Sequence, residues 1–129
     1  MNAQKVLIVE DDVICREAME RLLQGYGYET CSCSSGQEAI TLLKRQKFDI
    51  LITDLQMPEM DGLELVSKAQ SLDGQMRMVL MTGIPAEDLG DRLKKSKVNG
   101  FLSKPLDWSN LILLLESLIK VKNRSVGKF

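Results

Sequence analysis

Acidic residues follow two short, mostly apolar runs of the sequence. Asp54 comes after the run 48–53, and three consecutive acids at 10–12 come after the run 6–9. If the two runs are neighbouring parallel strands, both acidic ends lie at the carboxyl edge of a sheet, where open α/β proteins bind their ligands. Carboxylates gathered at one edge repel one another, and a divalent cation bound by oxygen ligands is the natural counter-charge. The spacing therefore predicts an acidic pocket that holds a cation.

Two more apolar runs end in residues with reactive side chains. Thr82 closes the run 78–81, and Lys104 with Pro105 follows the run 100–103. Acids, a hydroxyl and an ammonium group thus lie at four successive strand ends.

Length, composition and charge limit the classes of protein to which the chain can belong. Its 129 residues fit one domain with a real hydrophobic core, and 44% apolar with 27% charged residues is typical of a soluble globular protein. A net charge of −1 gives the protein no overall electrostatic attraction to nucleic acid or anionic membranes. We therefore expect no direct nucleic-acid binding and no membrane association. The sequence has neither a signal-peptide-like region nor a membrane-spanning run, which predicts a cytoplasmic location.

The sequence contains no histidine and three cysteines. The lack of histidine excludes Ser-His or Cys-His hydrolysis and histidine-ligated zinc or iron sites. The spacing of Cys31 and Cys33 differs from that of the usual redox and zinc pairs. We therefore expect these two residues and Cys15 to be buried or half-buried free thiols.

Short apolar runs alternate with longer segments of helical period, which predicts a parallel sheet covered by helices on both faces. The predicted strands cover residues 5–9, 28–32, 48–53, 77–82 and 98–102. Between the first two strands, Ile14, Ala18 and Leu22 recur every four residues, which indicates an amphipathic helix. Ser35 is a good capping residue for the next helix.

The last two helices differ in how well the sequence specifies them. Gly83, Pro85 and Gly90 interrupt the segment between the fourth and fifth strands, so we expect a short or mobile helix there. The last helix begins at Asp107, a good capping residue. Its apolar stripe comprises Leu111, Leu114, Leu115, Leu118 and Ile119. Leu113 lies opposite this stripe and is a candidate contact with a partner.

Four segments of the sequence together resemble the receiver domain of two-component response regulators. They are residues 5–12, residues 48–62, the strand that ends at Thr82, and Lys104 with Pro105. The match covers nearly the whole chain in the family's order and spacing. The resemblance implies a flavodoxin-like (CheY-like), doubly wound α/β fold, with a five-stranded parallel sheet of order 2-1-3-4-5 and five helices.

The sequence pattern also indicates where the domain ends. The receiver domain is expected to cover residues 1–121. Residues 122–129 lose helical periodicity and become basic, which indicates a C-terminal tail or the start of a linker.

The resemblance also implies roles in the family's reaction for the matching residues of this sequence. Asp54 matches the phospho-acceptor, which takes a phosphoryl group from the phosphohistidine of a histidine kinase or a histidine phosphotransfer protein. Asp11 matches the direct ligand of Mg²⁺, and Glu10 matches the neighbouring acid that usually reaches the metal through water. The main-chain carbonyl of Gln56 matches the third protein ligand. The implied cofactor is therefore Mg²⁺, which bridges Asp54 to the phosphoryl oxygens.

Three other positions match residues that respond to the phosphoryl group. Lys104 matches the lysine that pairs with Asp54 at rest and with the phosphoryl group afterwards. Thr82 matches the switch hydroxyl, which reaches a phosphoryl oxygen by moving toward the acceptor. Phe101 matches the aromatic switch position, although an ordinary core phenylalanine explains it equally well. The family often has a cis peptide before Pro105.

Three further acids near the predicted site have simpler explanations. Asp12 directly precedes the first helix, and we favour helix capping over metal ligation for it. Glu59 and Asp61 are interpreted as loop and turn residues.

The leading functional hypothesis is a phospho-accepting signalling module rather than an enzyme. Its output face would combine the helix before the fifth strand, that strand and the last helix, and would contact a partner, an output domain or a second copy in a homodimer. The alternative is a magnesium-dependent phosphatase with Asp54 as nucleophile, but that chemistry wants a second acid two residues later, where this chain has Gln56. A nucleotide-binding protein is a third hypothesis, and the strand-to-helix turns lack its glycine motifs.

Overall fold

The computed structural model describes residues 3–127, with side chains described up to Lys120. This part of the chain contains five strands and six helices. The strands are β1 (Lys5–Val9), β2 (Glu29–Cys33), β3 (Ile50–Asp54), β4 (Arg77–Thr82) and β5 (Gly100–Ser103). The helices are α1 (Val13–Gly25), α2 (Gly36–Arg45), α3 (Gly62–Leu72), α4 (Ala86–Leu89), α5 (Asp91–Lys95) and α6 (Trp108–Gly127). Each predicted strand is confirmed to within two residues at either end.

The strands form one parallel sheet in the order β2-β1-β3-β4-β5, which confirms the order that the resemblance implied. The chain moves from β1 outward to β2 and then to β3 on the other side of β1. The topological switch point, where such sheets bind ligands, therefore lies between β1 and β3.

Helices cover both faces of this sheet. One face packs against α1 and α6, and the other packs against α2 and α3. In β1, Val6 and Ile8 belong to the first face, whereas Leu7 and Val9 belong to the second. Burial on both faces explains why the strands read as nearly continuous apolar runs. Each large apolar side chain buried in this way contributes about 1.5–3 kcal/mol to folding.

The buried face of α1 is offset from the predicted stripe. Met19 and Leu23 are fully buried, whereas Ile14 is 82% exposed and Ala18 and Leu22 are only half-buried. Met19 and Leu23 are also four residues apart, so periodicity alone does not choose between the two stripes. The contact with the sheet decides which stripe is buried.

The connection between β4 and β5 contains two short helices, so the described chain has six helices and the prediction of five was wrong. Gly90 separates α4 from α5 with a φ of +56°, a conformation that suits a residue without a Cβ. Neither helix contains a buried residue or a side-chain cap. The prediction of a short helix in this segment is confirmed.

The start of α6 agrees with the prediction. Asp107 Oδ1 accepts a hydrogen bond from the Ser109 N–H at 2.9 Å, which caps the helix. Leu111 and Leu115 are buried, whereas Leu113 is 63% exposed. The apolar stripe of this helix is therefore assigned correctly, and Leu113 is free to contact a partner.

The backbone of α6 is helical as far as Gly127. Residues 128–129 of the predicted tail, and the side chains beyond Lys120, lie outside the described part of the chain. The domain boundary at residue 121 thus remains a prediction. Among the described helices, none is both long enough and apolar enough to cross a membrane.

Candidate functional site

The register of the sheet brings the predicted acids to the switch point. Val9 pairs with Thr53, so the residues that follow them, Glu10 and Asp54, lie side by side at the ends of β1 and β3. Lys104 follows the end of β5 at the same edge, and the peptide between it and the next residue, a proline, is cis.

The Lys104 ammonium group joins the two acids in a largely buried ionic cluster. Its Nζ donates to Asp54 Oδ2 at 2.9 Å and to Glu10 Oε1 at 2.8 Å. Glu10 is fully buried and Asp54 is 6% exposed. Two carboxylates this close and this buried require a cation between them, and the ammonium group supplies it. The sequence predicted the contact with Asp54 but not the contact with Glu10.

The environment changes the proton affinity of two members of this cluster. Burial raises the pKa of Glu10, and the hydrogen bond from Lys104 opposes this effect only in part. Burial alone would lower the pKa of Lys104, but its hydrogen bonds to Glu10 and Asp54 outweigh burial, so its pKa is raised. The ammonium group therefore keeps its charge.

A third acid completes a set of ligands suited to a cation. Glu10, Asp11 and Asp54 each place one carboxylate oxygen within 4.8 Å of the other two. The second oxygen of Glu10, Oε2, is buried and has no hydrogen-bond partner in the described chain. A buried oxygen without a partner is costly, and a cation would satisfy it. Carboxylate oxygens are the ligands that Mg²⁺ prefers, so the donor set fits the ion that the resemblance implied.

Gly62 fixes the main chain on the other side of Asp54. Its N–H donates to the Leu55 carbonyl at 2.8 Å. A Cβ on this residue would lie 2.3 Å from the Asp54 carbonyl oxygen and 2.9 Å from the Leu55 Cα. Only glycine lets α3 begin this close to the strand. The sequence alone did not single out Gly62, although a glycine directly after Asp61, at the start of a helix, was a signal of this close approach.

Comparison with known proteins decides the family. The profile of the response regulator receiver domain matches residues 6–116, which is most of the chain. The chain is a response regulator receiver domain.

Two curated relatives illustrate the range of proteins that contain such a domain. The chain is 30% identical over 114 residues to the transcriptional regulatory protein ZraR of Escherichia coli (strain K12), covering 88% of the chain and 26% of ZraR. It is 30% identical over 116 residues to the response regulator receiver protein CpdR of Brucella abortus (strain 2308), covering 90% of the chain and 97% of CpdR. The receiver domain thus spans about a quarter of the length of the first relative and nearly all of the second.

Solved structures agree with this assignment. The chemotaxis protein CheY4 of Vibrio cholerae superposes on the receiver domain with a TM-score of 0.84 at 28% identity, covering 90% of this chain and 98% of that one. The flavodoxin-like fold predicted from the resemblance is therefore confirmed.

Two acids near the site cap helices of the receiver domain. Asp12 caps α1 and accepts a hydrogen bond from the Cys15 N–H at 3.0 Å. Asp61 caps α3 in a capping box with Glu64, and it also forms an ion pair with Arg92 Nη2 at 2.7 Å. Asp12 has the capping role that was favoured for it, whereas Asp61, interpreted as a loop or turn residue, caps a helix instead.

The two predicted switch residues lie on β4 and β5. Thr82 is buried, and its hydroxyl oxygen accepts a hydrogen bond from the Ile84 N–H at 3.0 Å. The hydroxyl hydrogen remains available to another acceptor. Phe101 is half-buried and packs against a cluster of leucines. The buried members of this leucine cluster are Leu55, Leu63 and Leu80. This packing supports a core role for Phe101, and its switch role remains a prediction.

The loop after β3 carries the remaining predicted residues. Gln56 is exposed two residues after Asp54, and its carbonyl as a metal ligand remains a prediction. Its amide side chain stands where an aspartate-dependent phosphatase would carry a second acid, so the phosphatase alternative is not favoured. Glu59 has a φ of +69° in this loop, in keeping with a turn residue.

The three cysteines are free thiols, as predicted. Cys33 is buried, and Cys15 and Cys31 are half-buried. Burial raises the pKa of Cys15 and of Cys33 to about 11. These two thiols therefore stay protonated near neutral pH and are poor nucleophiles.

A groove of about 500 Å³ opens beside the acids, between α1 and the start of α6. Glu10 and Lys104 lie in its wall, together with the apolar side chains of Ile14 and Trp108. Ile14 is 82% exposed and Trp108 is 39% exposed. The groove therefore leads from solvent to the ionic cluster.

Proposed function

We propose that this receiver domain takes a phosphoryl group onto the carboxylate of Asp54 from the phosphohistidine of a histidine kinase or a histidine phosphotransfer protein. The observation that supports the proposal best is the hydrogen bond from Lys104 Nζ to Asp54 Oδ2 in a cluster with the fully buried Glu10. The cluster presents a carboxylate oxygen beside a charged donor, where a phosphoryl group can be attacked and its charge compensated.

The proposed reaction is a transfer between two nucleophiles. An oxygen of the Asp54 carboxylate attacks phosphorus, and the P–O bond of an acyl phosphate forms. The P–N bond of the donor breaks, and its electron pair returns to the imidazole nitrogen, which then takes up a proton from solvent. Lys104 stays protonated because its pKa is raised, so it moves from pairing with the carboxylate to pairing with the phosphoryl oxygens.

A divalent cation is part of this proposal. Glu10, Asp11, Asp54 and the main-chain carbonyl of Gln56 would hold Mg²⁺, directly or through water. When bound, the ion supplies positive charge against the negative charge of the incoming phosphoryl group.

Thr82 and Phe101 are proposed to transmit the effect of phosphorylation from Asp54 to the protein surface. The phosphoryl group adds about −1.5 to −2 charges and three strong acceptors. The Thr82 hydroxyl, which has a hydrogen to donate, would turn toward one of these oxygens, and the leucine cluster that holds Phe101 would repack. The surface of α4, α5, β5 and α6 would then change its affinity for an output domain, a partner or a second copy, with the exposed Leu113 as the candidate contact.

The proposal is tested by incubation of the protein with MgCl₂ and phosphoramidate, followed by intact mass spectrometry. We expect a mass gain of one phosphoryl group that is abolished by chelation of Mg²⁺ and by Asp54→Asn. The matched control is Asp12→Asn, which removes a neighbouring charge but keeps a good helix cap and should retain the mass gain.

Two outcomes would reject the proposal. A mass gain that persists in Asp54→Asn would mean that another residue is the acceptor. Multiple turnovers of simple phosphomonoesters by the wild-type protein would revive the phosphatase alternative.

A further inference from the structure

The connection between β1 and α1 carries two of the three acids of the cation site in only three residues. β1 ends at Val9 and α1 begins at Val13, so residues 10–12 must turn the chain while pointing both acids at the pocket. The third residue of the connection, Asp12, is occupied as the cap of α1. The directions of Glu10 and Asp11 therefore depend on how the main chain of this short turn is held.

Both polar main-chain groups of Glu10 are held by other parts of the protein. Its N–H donates to the Cys33 carbonyl at the end of β2, at 3.1 Å. Its carbonyl accepts a hydrogen bond from Arg16 Nη1 at 2.8 Å. A hydrogen bond from a guanidinium group is stronger than one between neutral groups. The main chain of Glu10 is thus fixed on both sides, and a side chain supplies one of the two bonds.

Arg16 is itself well placed to act as an anchor. Its N–H donates to the Asp12 carbonyl at 2.9 Å, which is part of the first turn of α1. Its side chain is partly buried and folds back from that turn to the Glu10 carbonyl. The guanidinium group therefore links the first turn of α1 to Glu10, which is the first residue of the turn that carries the acids.

We infer that Arg16 is a positioning residue for the cation site, because it holds the main chain from which the Glu10 and Asp11 carboxylates project. This inference rests on the proposed function, since it concerns the same cation. Arg16 acts through the Glu10 carbonyl and has no contact with the reacting atoms in this account.

Simple electrostatics and the positioning role predict opposite changes in Mg²⁺ affinity when the Arg16 side chain is removed. Removal of a positive charge near a cation site should strengthen Mg²⁺ binding by reducing repulsion. Loss of an anchor should weaken Mg²⁺ binding, because the carboxylates are no longer held in place. Groups that orient metal ligands typically change metal affinity by 10–100-fold when they are removed. The sign of the effect therefore separates the two explanations.

The test is a titration of the folded protein with MgCl₂, followed by the fluorescence of Trp108. This residue is the single tryptophan of the chain and lines the groove that contains Glu10. Arg16→Met keeps most of the side-chain length but has no donor, whereas Arg16→Lys keeps a donor and the charge. The matched control is Arg21→Met, which removes an exposed arginine of the same helix.

We expect Arg16→Met to weaken Mg²⁺ binding about ten-fold, with Arg16→Lys intermediate and Arg21→Met unchanged or slightly tighter. The phosphorylation rate of Arg16→Met should approach that of the wild-type protein at saturating Mg²⁺. If Arg16→Met does not fold, Arg16→Gln, which has a shorter donor and no charge, replaces it. Weaker Mg²⁺ binding in Arg16→Gln without a matching change in Arg21→Met then supports the inference, and unchanged or tighter binding overturns it.

The inference and the proposed function fail in different ways. Tighter or unchanged Mg²⁺ binding in a folded Arg16→Met variant overturns the inference and leaves the proposed function intact. No Mg²⁺ binding by the wild-type protein would reject the cation site itself, and the inference with it.

Discussion

The helical segments that follow β3 and β4 both come directly after strands with predicted site residues, yet the protein holds them very differently. α3 has 11 residues, a capping box and a buried face. Its buried residues are Gly62, Leu63, Leu65, Val66 and Ala69. α4 and α5 have four and five residues, no buried residue and no side-chain cap, and Gly90 separates them.

This difference supports separate roles, in the proposed function, for the segments that follow β3 and β4. The proposed acceptor Asp54 precedes a capped and well-packed helix, and its carboxylate lies close to Glu10 and Lys104. Thr82 precedes a segment with few buried contacts, and such segments open at low free-energy cost. A small change at the site can therefore rearrange α4 and α5 without disturbing α3.

The largest expected effect on stability is at Gly62, the first residue of α3. A Cβ there would meet main-chain atoms of Asp54 and Leu55, which cannot rotate away. We expect Gly62→Ala to lower the free energy of unfolding by about 3 kcal/mol, measured by urea denaturation. Gly25→Ala is the control, because nothing lies within 4 Å of a Cβ at that position. Equal stability of the two variants would show that α3 is not packed as closely as the structure indicates.

Lys104→Met tests the charge balance of the site. It leaves Glu10 and Asp54 without their shared cation, and breaking a buried ion pair costs about 3–5 kcal/mol. The Lys104 side chain is 30% exposed, so we expect a smaller loss, about 2 kcal/mol in Mg²⁺-free buffer. The proposed Mg²⁺ site exists only in the folded protein, so millimolar MgCl₂ should recover much of the loss.

The control for this second prediction is Lys94→Met, at an exposed lysine of α5. Its stability should stay close to that of the wild-type protein with and without Mg²⁺. If Lys104→Met were as stable as the wild-type protein in Mg²⁺-free buffer, the ionic cluster would not need the ammonium group.

Gly90→Ala should have a smaller effect on stability, confined to α4 and α5. The φ of +56° strains any residue with a Cβ, but the space around Gly90 is open and the short helices can rearrange. We expect a loss of about 1 kcal/mol. Hydrogen exchange should accelerate at the amides of α4 and α5 and not at those of α3. Acceleration in α3 would mean that the two segments unfold as one unit.

The smallest effect on stability is expected for the ion pair of Arg92 and Asp61, which joins α5 to the start of α3. The Arg92 side chain is 54% exposed, and exposed ion pairs contribute about 0–1 kcal/mol. A double-mutant cycle with Arg92→Gln and Asp61→Asn isolates the charge effect, because asparagine still caps α3. We expect a coupling of about 0.5 kcal/mol that falls with added salt. A coupling several times larger would mean that α5 and α3 are firmly joined.

The sequence predicted the strands well, and it predicted that acids after β1 and β3 meet a lysine after β5, because apolar runs and the residues that end them are local signals. It could not predict the face of α1 that is buried. Ile14 and Met19 belong to stripes of equal period, and only the contact with the sheet selects Met19. The ionic contact between Glu10 and Lys104 is also absent from the sequence pattern, since it joins residues 94 positions apart. The break at Gly90 depends on a main-chain conformation that periodicity does not encode.

Acids at two strand ends and a lysine at a third converge around Asp54, where we propose one cation site. Its most direct test is a crystal soaked in MnCl₂, because Mn²⁺ accepts the same oxygen ligands as Mg²⁺ and gives an anomalous signal. We expect one strong anomalous peak within coordination distance of Asp11 and Asp54, with Lys104 beside Asp54. A peak elsewhere on the protein, or none at this edge of the sheet in fully soaked crystals, would contradict it.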